Sequence, residues 1–159
     1  MNIKKIISWI LVIVWLMIIF MFSAMDADNS NKKSEGAINK VVETTLNKTN
    51  DLGITNKHPS ENKINKLVED LNIPFRKCMH FFVYFVLALL LLNALYVSGF
   101  KNYKLYLVCI IACFIYSIFD EYHQTFVTGR TGQFTDSLID TLGSTIGMII
   151  YYFFRRKKS

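Results

Sequence analysis

Residues 76–97 read RKCMHFFVYFVLALLLLNALYV: two cations and a histidine lead into a run that holds no Asp, Glu, Lys or Arg from His80 to Val97. As a helix this run spans about 26–27 Å at ~1.5 Å per residue, near the short limit for crossing a hydrocarbon core. Three similar runs occur at Ile6–Phe22, Tyr103–Phe119 and Ser137–Phe154. The third span, Tyr103–Phe119, is the weakest, since its aromatic ends suit a headgroup layer. With 52% of residues hydrophobic and so strongly clustered, lipid rather than a soluble core is the expected solvent. The expected fold is all-α: one membrane domain over residues 1–159, a four-helix bundle with a long hydrophilic segment at 23–79. Lys4 and Lys5 before the first run could open a cleavable signal peptide. The run is long for that role and Ser23-Ala24-Met25 is a poor cleavage site, so a retained helix is expected.

The charges suggest an orientation. Met1–Lys5, Ser98–Lys104 and Arg155–Ser159 together hold eight basic residues (Lys4, Lys5, Lys101, Lys104, Arg155, Arg156, Lys157 and Lys158) and no acid. The remaining ten basic and all twelve acidic residues fall on the other side or its boundary. Basic residues in short loops mark the cytoplasmic face, so both termini are expected inside. The basic balance is then an orientation signal rather than a sign of nucleic-acid binding. The three cysteines, Cys78, Cys109 and Cys113, have no metal-type spacing and read as small apolar filler.

The hydrophilic segment carries two short helical patterns. Ile38, Val41, Val42 and Leu46 follow helical spacing, with Ser34 upstream as an N-cap. Ile64, Leu67, Val68 and Leu71 repeat it after Pro59-Ser60, with Pro74 as the expected stop. Asn47, Asn50 and Asn56 read as turn residues between the two. Such helices could lie in the headgroup plane or cap the bundle, and a mobile loop is the plainer alternative.

Polar side chains gather at one depth, at the outer ends of spans two, three and four. Lys77, His80 and Tyr84 share a helical face behind Arg76; Asp120, His123 and Gln124 share one beside Glu121 and Tyr116. Gly129-Arg130-Thr131-Gly132 then leads into Asp136, Asp140, Gly143 and Gly147, a narrow arc of the fourth span. Gly143 and Gly147 form a small-xxx-small pair that admits a neighbouring backbone, which turns Asp140 into the bundle. Arg76 and Lys77 would sit at a helix N-terminus, and Asp120 and Glu121 at a C-terminus, both against the helix dipole at about 0.3–1 kcal/mol each. Pairing these cations and Arg130 with the carboxylates would offset that. Each group also has a plainer reading. Arg76 and Lys77 could snorkel, Asp136 could be only an N-cap, the glycines only a turn rather than a phosphate cradle, and His123 only an interfacial residue.

Three blocks resemble the VanZ-like family, small membrane proteins named for a member linked to teicoplanin resistance. They are Arg76-Lys77-x-x-His80-Phe81-x-x-Tyr84; Asp120-Glu121-x-His123-Gln124-x-Phe126-Val127-x-Gly129-Arg130; and Asp136-x-x-x-Asp140-x-x-Gly143-x-x-x-Gly147. The Phe22-Ser23-Ala24 exit from the first span, with Ser30 and Ser34 beyond it, is similar too. The chain departs from the family at Val83, where Glu is frequent, and at Thr128, where Pro is. The resemblance implies a bacterial plasma-membrane protein, extracytoplasmic cell-envelope biology and teicoplanin tolerance, without a defined molecular activity.

Three functions compete. The first is binding of a membrane lipid, a cell-envelope precursor or a lipophilic glycopeptide at the outer leaflet, through Arg76, Lys77, His80, Tyr84, Asp120, Glu121, Gln124, Arg130, Asp136 and Asp140. Charge pairing of this kind expects Asp140→Glu to keep much of the function. The second is an enzyme on a lipid-linked envelope substrate, with His80, Glu121, His123 and Asp140 as candidate acid–base groups. No Ser-His-Asp, HExxH or Walker signature supports it, no cofactor is expected, and a divalent ion between His80, His123 and the acids is its metal-dependent version. The third, a small transporter, is disfavoured by ionisable groups confined to one face. A homo-oligomer is compatible with all three.

Overall fold

The computed structural model describes residues 3–25, 27–51, 61–130 and 132–156, so Met1, Asn56, Pro59, Ser60, Thr131, Lys157 and Lys158 lie outside the described residues. Five helices follow one another: α1 (Ile3–Ser23), α2 (Ala27–Asp51), α3 (Glu61–Val97), α4 (Asn102–Gln124) and α5 (Phe134–Arg156). All but α2 are long and apolar enough to cross a membrane. The protein is a multi-pass, all-α membrane protein.

α3 organises the rest, touching each of the other four helices. α1 runs antiparallel to it, tied by Trp9 Nε1–H to Ser98 Oγ at 2.9 Å, Asn93 Nδ2–H to Ser8 Oγ at 3.1 Å and Trp15 Nε1–H to the Val83 carbonyl at 3.0 Å. The Tyr116 hydroxyl donates to the Leu16 carbonyl at 2.9 Å and ties α4 to α1. Val12, Ile19, Leu87, Leu92, Cys109 and Cys113 form part of the core, to which α1 contributes one face. Cys109 and Cys113 are free thiols, and the Cys109 thiol faces the Ala88 carbonyl at 3.7 Å, as small filler would. Exposed apolar side chains such as Ile13, Met17, Ile115 and Phe153 form the lipid-facing surface.

The closest helix contact joins α5 to α3. A Cβ on Gly143 would lie 2.2 Å from the Phe81 carbonyl oxygen, and one on Gly147 would lie 2.8 Å from that of Phe85. The Ser144 hydroxyl donates to the Tyr84 carbonyl at 3.3 Å along the same seam. One end of the bundle gathers Lys4, Lys5, Lys101, Lys104, Arg155 and Arg156, with the Arg155 guanidinium 3.5 Å from the Tyr96 ring centroid. The acidic constellation lies at the opposite end.

The hydrophilic segment departs from expectation. Ser34 is inside α2 rather than capping it, its hydroxyl turned to the Ser30 carbonyl at 3.1 Å. Asn47 and Asn50 also lie within α2, so no turn forms there. Pro74 does not stop a helix: α3 passes through it without interruption for 37 residues. Proline forfeits the hydrogen bond to the carbonyl four residues back and usually costs about 3 kcal/mol in a helix interior. Here that carbonyl belongs to exposed Asp70, where polar surroundings can replace the lost donor. α2 packing along the same stretch supplies the remaining stabilisation, with Ile38 and Val68 buried. At ~1.5 Å per residue α3 is about 55 Å long, nearly twice a hydrocarbon core. Its first half therefore stands beyond the apolar span as a post for α2. Arg76 and Lys77 are mid-helix, so the dipole conflict expected of them does not arise.

Replacing Gly143 by Val would force α5 off α3 and lower stability by about 1–3 kcal/mol or more. Gly36, exposed on α2 with nothing within 4 Å of a built Cβ, should accept Ala with no loss. Thermal unfolding of the two variants in detergent checks the contrast.

Candidate functional site

α3, α4 and α5 bring their polar residues together at one end of the bundle. Lys77 Nζ lies 2.8 Å from Asp136 Oδ1, both side chains partly exposed. One turn deeper, His80 Nδ1 lies 3.5 Å from Asp140 Oδ1, and Asp140 is 0% exposed. The other Asp140 oxygen accepts the Ser117 hydroxyl at 2.7 Å. The seam at Gly143 is what lets a carboxylate on α5 reach a histidine on α3.

Asp120 and Glu121 are buried in the last turn of α4, against its dipole. Neutral amide groups donate to both. The Gln124 amide donates to both at 3.4 Å, and the Gln133 backbone N–H donates to Glu121 Oε2 at 2.9 Å. Arg130 holds this arrangement from outside, donating to Gln124 Oε1 at 3.1 Å and to the Phe22 carbonyl at 3.4 Å. Gly129 has a positive φ of 74°, and a Cβ on Gly132 would lie 2.2 Å from the Glu121 carbonyl oxygen. Both glycines therefore shape the α4–α5 turn and fit it against α4.

α2 closes the site from the side. The Ser34 hydroxyl bonds the Asn72 side chain, Asn72 Nδ2 donates to Glu35 Oε1 at 3.4 Å, and Arg76 donates to Asn31 Oδ1 at 3.3 Å. Two cavities result. One, of about 270 Å³, is mainly apolar and lies between α1, α2 and α3, with Ile19, Phe22, Ala37, Met79 and Val83 in its wall. The other, of about 290 Å³, is polar and includes Lys77, Gln124, Gln133 and Asp136. Arg76, His80 and Arg130 line both.

The structure thus assembles Arg76, Lys77, His80, Tyr84, Asp120, Glu121, Gln124, Arg130, Asp136 and Asp140 around one region. His123 stands apart, its ring 4.6 Å from that of Phe20 on α1. Asp136 is the third residue of α5 rather than its N-cap. Ser117, Asn31, Asn72 and Gln133 take part without having been marked by the sequence. Ser117 could have been: it precedes Asp120 by three on one helical face.

The chain matches the VanZ/LLP1 family over residues 8–155. No curated protein and no solved structure matches it. With nearly its whole length matched, the chain belongs to the VanZ/LLP1 family.

Gly132→Ala should displace the Gln133 N–H from Glu121 and cost about 1–3 kcal/mol. Gly129→Ala, at a positive φ of 74°, should cost about 1–2 kcal/mol. Thermal unfolding checks the order, and a Gly132→Ala protein as stable as wild type would contradict the tight fit of this turn.

Proposed function

We propose that this VanZ/LLP1-family protein binds an anionic amphiphile of the bacterial cell envelope at the extracytoplasmic face of the plasma membrane, and that such binding underlies tolerance to lipophilic glycopeptides such as teicoplanin. The observation that carries this reading is the sharing of Arg76, His80 and Arg130 between an apolar and a polar cavity. A ligand with a hydrocarbon chain and a phosphate or carboxylate needs that combination. The chain enters the apolar cavity between α1, α2 and α3, and the anion meets guanidinium groups able to form charge-assisted hydrogen bonds. Extracytoplasmic placement follows from the basic opposite end, by the preference of Lys and Arg for the cytoplasmic side.

An enzymatic reading is favoured by one contact, His80 Nδ1 against the buried carboxylate of Asp140. A carboxylate in that place orients an imidazole and would leave Nε2 to act as a base toward a substrate in the cavity. Incubating the protein with labelled undecaprenyl-linked or phospholipid substrates distinguishes turnover from binding alone.

Three outcomes are expected. Exposed Cys78 should react with a membrane-impermeant maleimide in intact cells. Labelling only after permeabilisation would reverse the proposed orientation. In lipid nanodiscs, Arg76→Ala/Arg130→Ala should weaken binding of an undecaprenyl phosphate probe by about 10-fold or more, the scale of one lost charge-assisted hydrogen bond. A host expressing wild type should tolerate more teicoplanin than one expressing the double variant at equal membrane level. Unchanged binding by the variant would remove this proposal.

A further inference from the structure

Three carboxylates sit within the polar end of an apolar bundle: Asp120 is 2% exposed, Glu121 6% and Asp140 0%. Unpaired buried charge of one sign is costly, by several kcal/mol per ion in a low-dielectric site. His80 lies against Asp140, while Asp120 and Glu121 receive neutral amide donors. Neutral donors orient carboxylates but bring no opposite charge. His80, Asp120 and Glu121 each offer a ligand atom, and those atoms all lie within 4.8 Å of one another. A second observation points into the same place. Tyr84 is 1% exposed, its hydroxyl makes no geometrically formed hydrogen bond among the described residues, and it is within electrostatic reach of Asp120 and Asp140.

We propose that His80, Asp120 and Glu121 bind a first-row divalent cation beside the apolar cavity, whose wall includes His80 and Asp120. One imidazole and two carboxylates form a mixed nitrogen and oxygen donor set that suits Zn²⁺, Mn²⁺ or Fe²⁺ better than Ca²⁺ or Mg²⁺. Donor atoms around such ions stand about 3–4 Å apart when metal–ligand distances are ~2.0–2.2 Å. Small rotations of the three side chains close the remaining gap. Asp140 completes the arrangement from behind. Its Oδ1, 3.5 Å from His80 Nδ1 and without a formed hydrogen bond among the described residues, is placed to accept the Nδ1 proton and so to fix the tautomer that presents Nε2 to the metal, as outer carboxylates do for metal-bound histidines. The Tyr84 hydroxyl, buried within electrostatic reach of Asp120, is available to bond a metal-bound water or the anionic group of a ligand. The site stands independently of the amphiphile proposal, since the metal alone is its ligand.

The test uses the full-length protein in lipid nanodiscs, stripped with chelator and titrated with Zn²⁺, Mn²⁺ or Co²⁺. Wild type should take up about one equivalent, with Co²⁺ giving visible d–d bands and a raised unfolding temperature. His80→Ala and Asp120→Asn should lose that uptake, each checked for a monodisperse, folded state. Asp140→Asn should keep the stoichiometry and weaken affinity by about 10–100-fold, the usual effect of losing an outer-sphere partner. His123→Ala should bind as wild type does. Absence of uptake by folded wild type with every ion overturns the site. So does uptake that survives both His80→Ala and Asp120→Asn, which would locate the ion elsewhere. Undecaprenyl phosphate binding by metal-free protein is measured in parallel, so the failure of one proposal is distinguishable from failure of the other.

Discussion

The close approach of α5 to α3 at Gly143 governs the site. A side chain there would collide with the Phe81 carbonyl, and the separation needed to relieve that collision would withdraw Asp140 from His80. Helices in lipid gain little from apolar contact alone, because lipid tails are as apolar as leucine; close backbone approach and polar contacts must hold them. This seam supplies both. The glycines let the backbones meet, and the buried contacts of Asp140 with Ser117 on α4 and His80 on α3 link the three helices. Packing and chemistry share the same few residues, so neither can be altered without the other.

Around that seam the polar residues divide by depth. Lys77 and Asp136 meet where both remain partly exposed, and a pair in such a place contributes little stability, typically 0–1 kcal/mol. Its more useful effect is to join the α3 post to the start of α5 at the mouth of the polar cavity. Asp120, Glu121 and Asp140 lie deeper, where solvent screens less and an unmatched charge costs more. Arg130 bridges the levels by reaching both Gln124 and the end of α1. The turn carrying it is fitted to α4 through Gly132, so the position of this guanidinium is a property of the turn.

The membrane spans are legible in the sequence because lipid imposes a long, nearly charge-free run that few other structures require. Residue types at the site are legible too. Helical spacing places Asp120 with Gln124, and Asp136 with Asp140, whatever surrounds them. What spacing cannot supply is the neighbour. That Lys77 meets Asp136 and His80 meets Asp140 depends on α3 lying beside α5, a fact of tertiary packing. His123 shows the limit of a face argument: at 100° per residue it stands about 60° to one side of Asp120, enough to direct it to Phe20 on α1. Pro74, Asn47 and Asn50 mislead for a different reason. They are local signals of a break that the helices α2 and α3 nevertheless run through. The hydrophilic segment is therefore helix where turns and stops were expected.

The extension of α3 through Pro74 has a consequence for access. Had the helix stopped there, α2 would have had no rigid partner, and the apolar cavity would have lacked the wall that includes Ser34 and Ala37. With the post in place, α2 is fastened through Ser34, Asn31 and Glu35 to Asn72 and Arg76. These are side-chain hydrogen bonds at a partly exposed surface, each worth only about 0.5–1.5 kcal/mol net. The transmembrane seam is held by backbone contact and buried polar groups, so the wall is much the weaker attachment. For the amphiphile proposed above, such a lightly fastened side wall offers a route of entry between α1 and α2 that leaves the buried carboxylates undisturbed. The polar contacts of α2 also end at Arg76, which lines both cavities. Movement of the wall and the position of that cation are therefore mechanically joined.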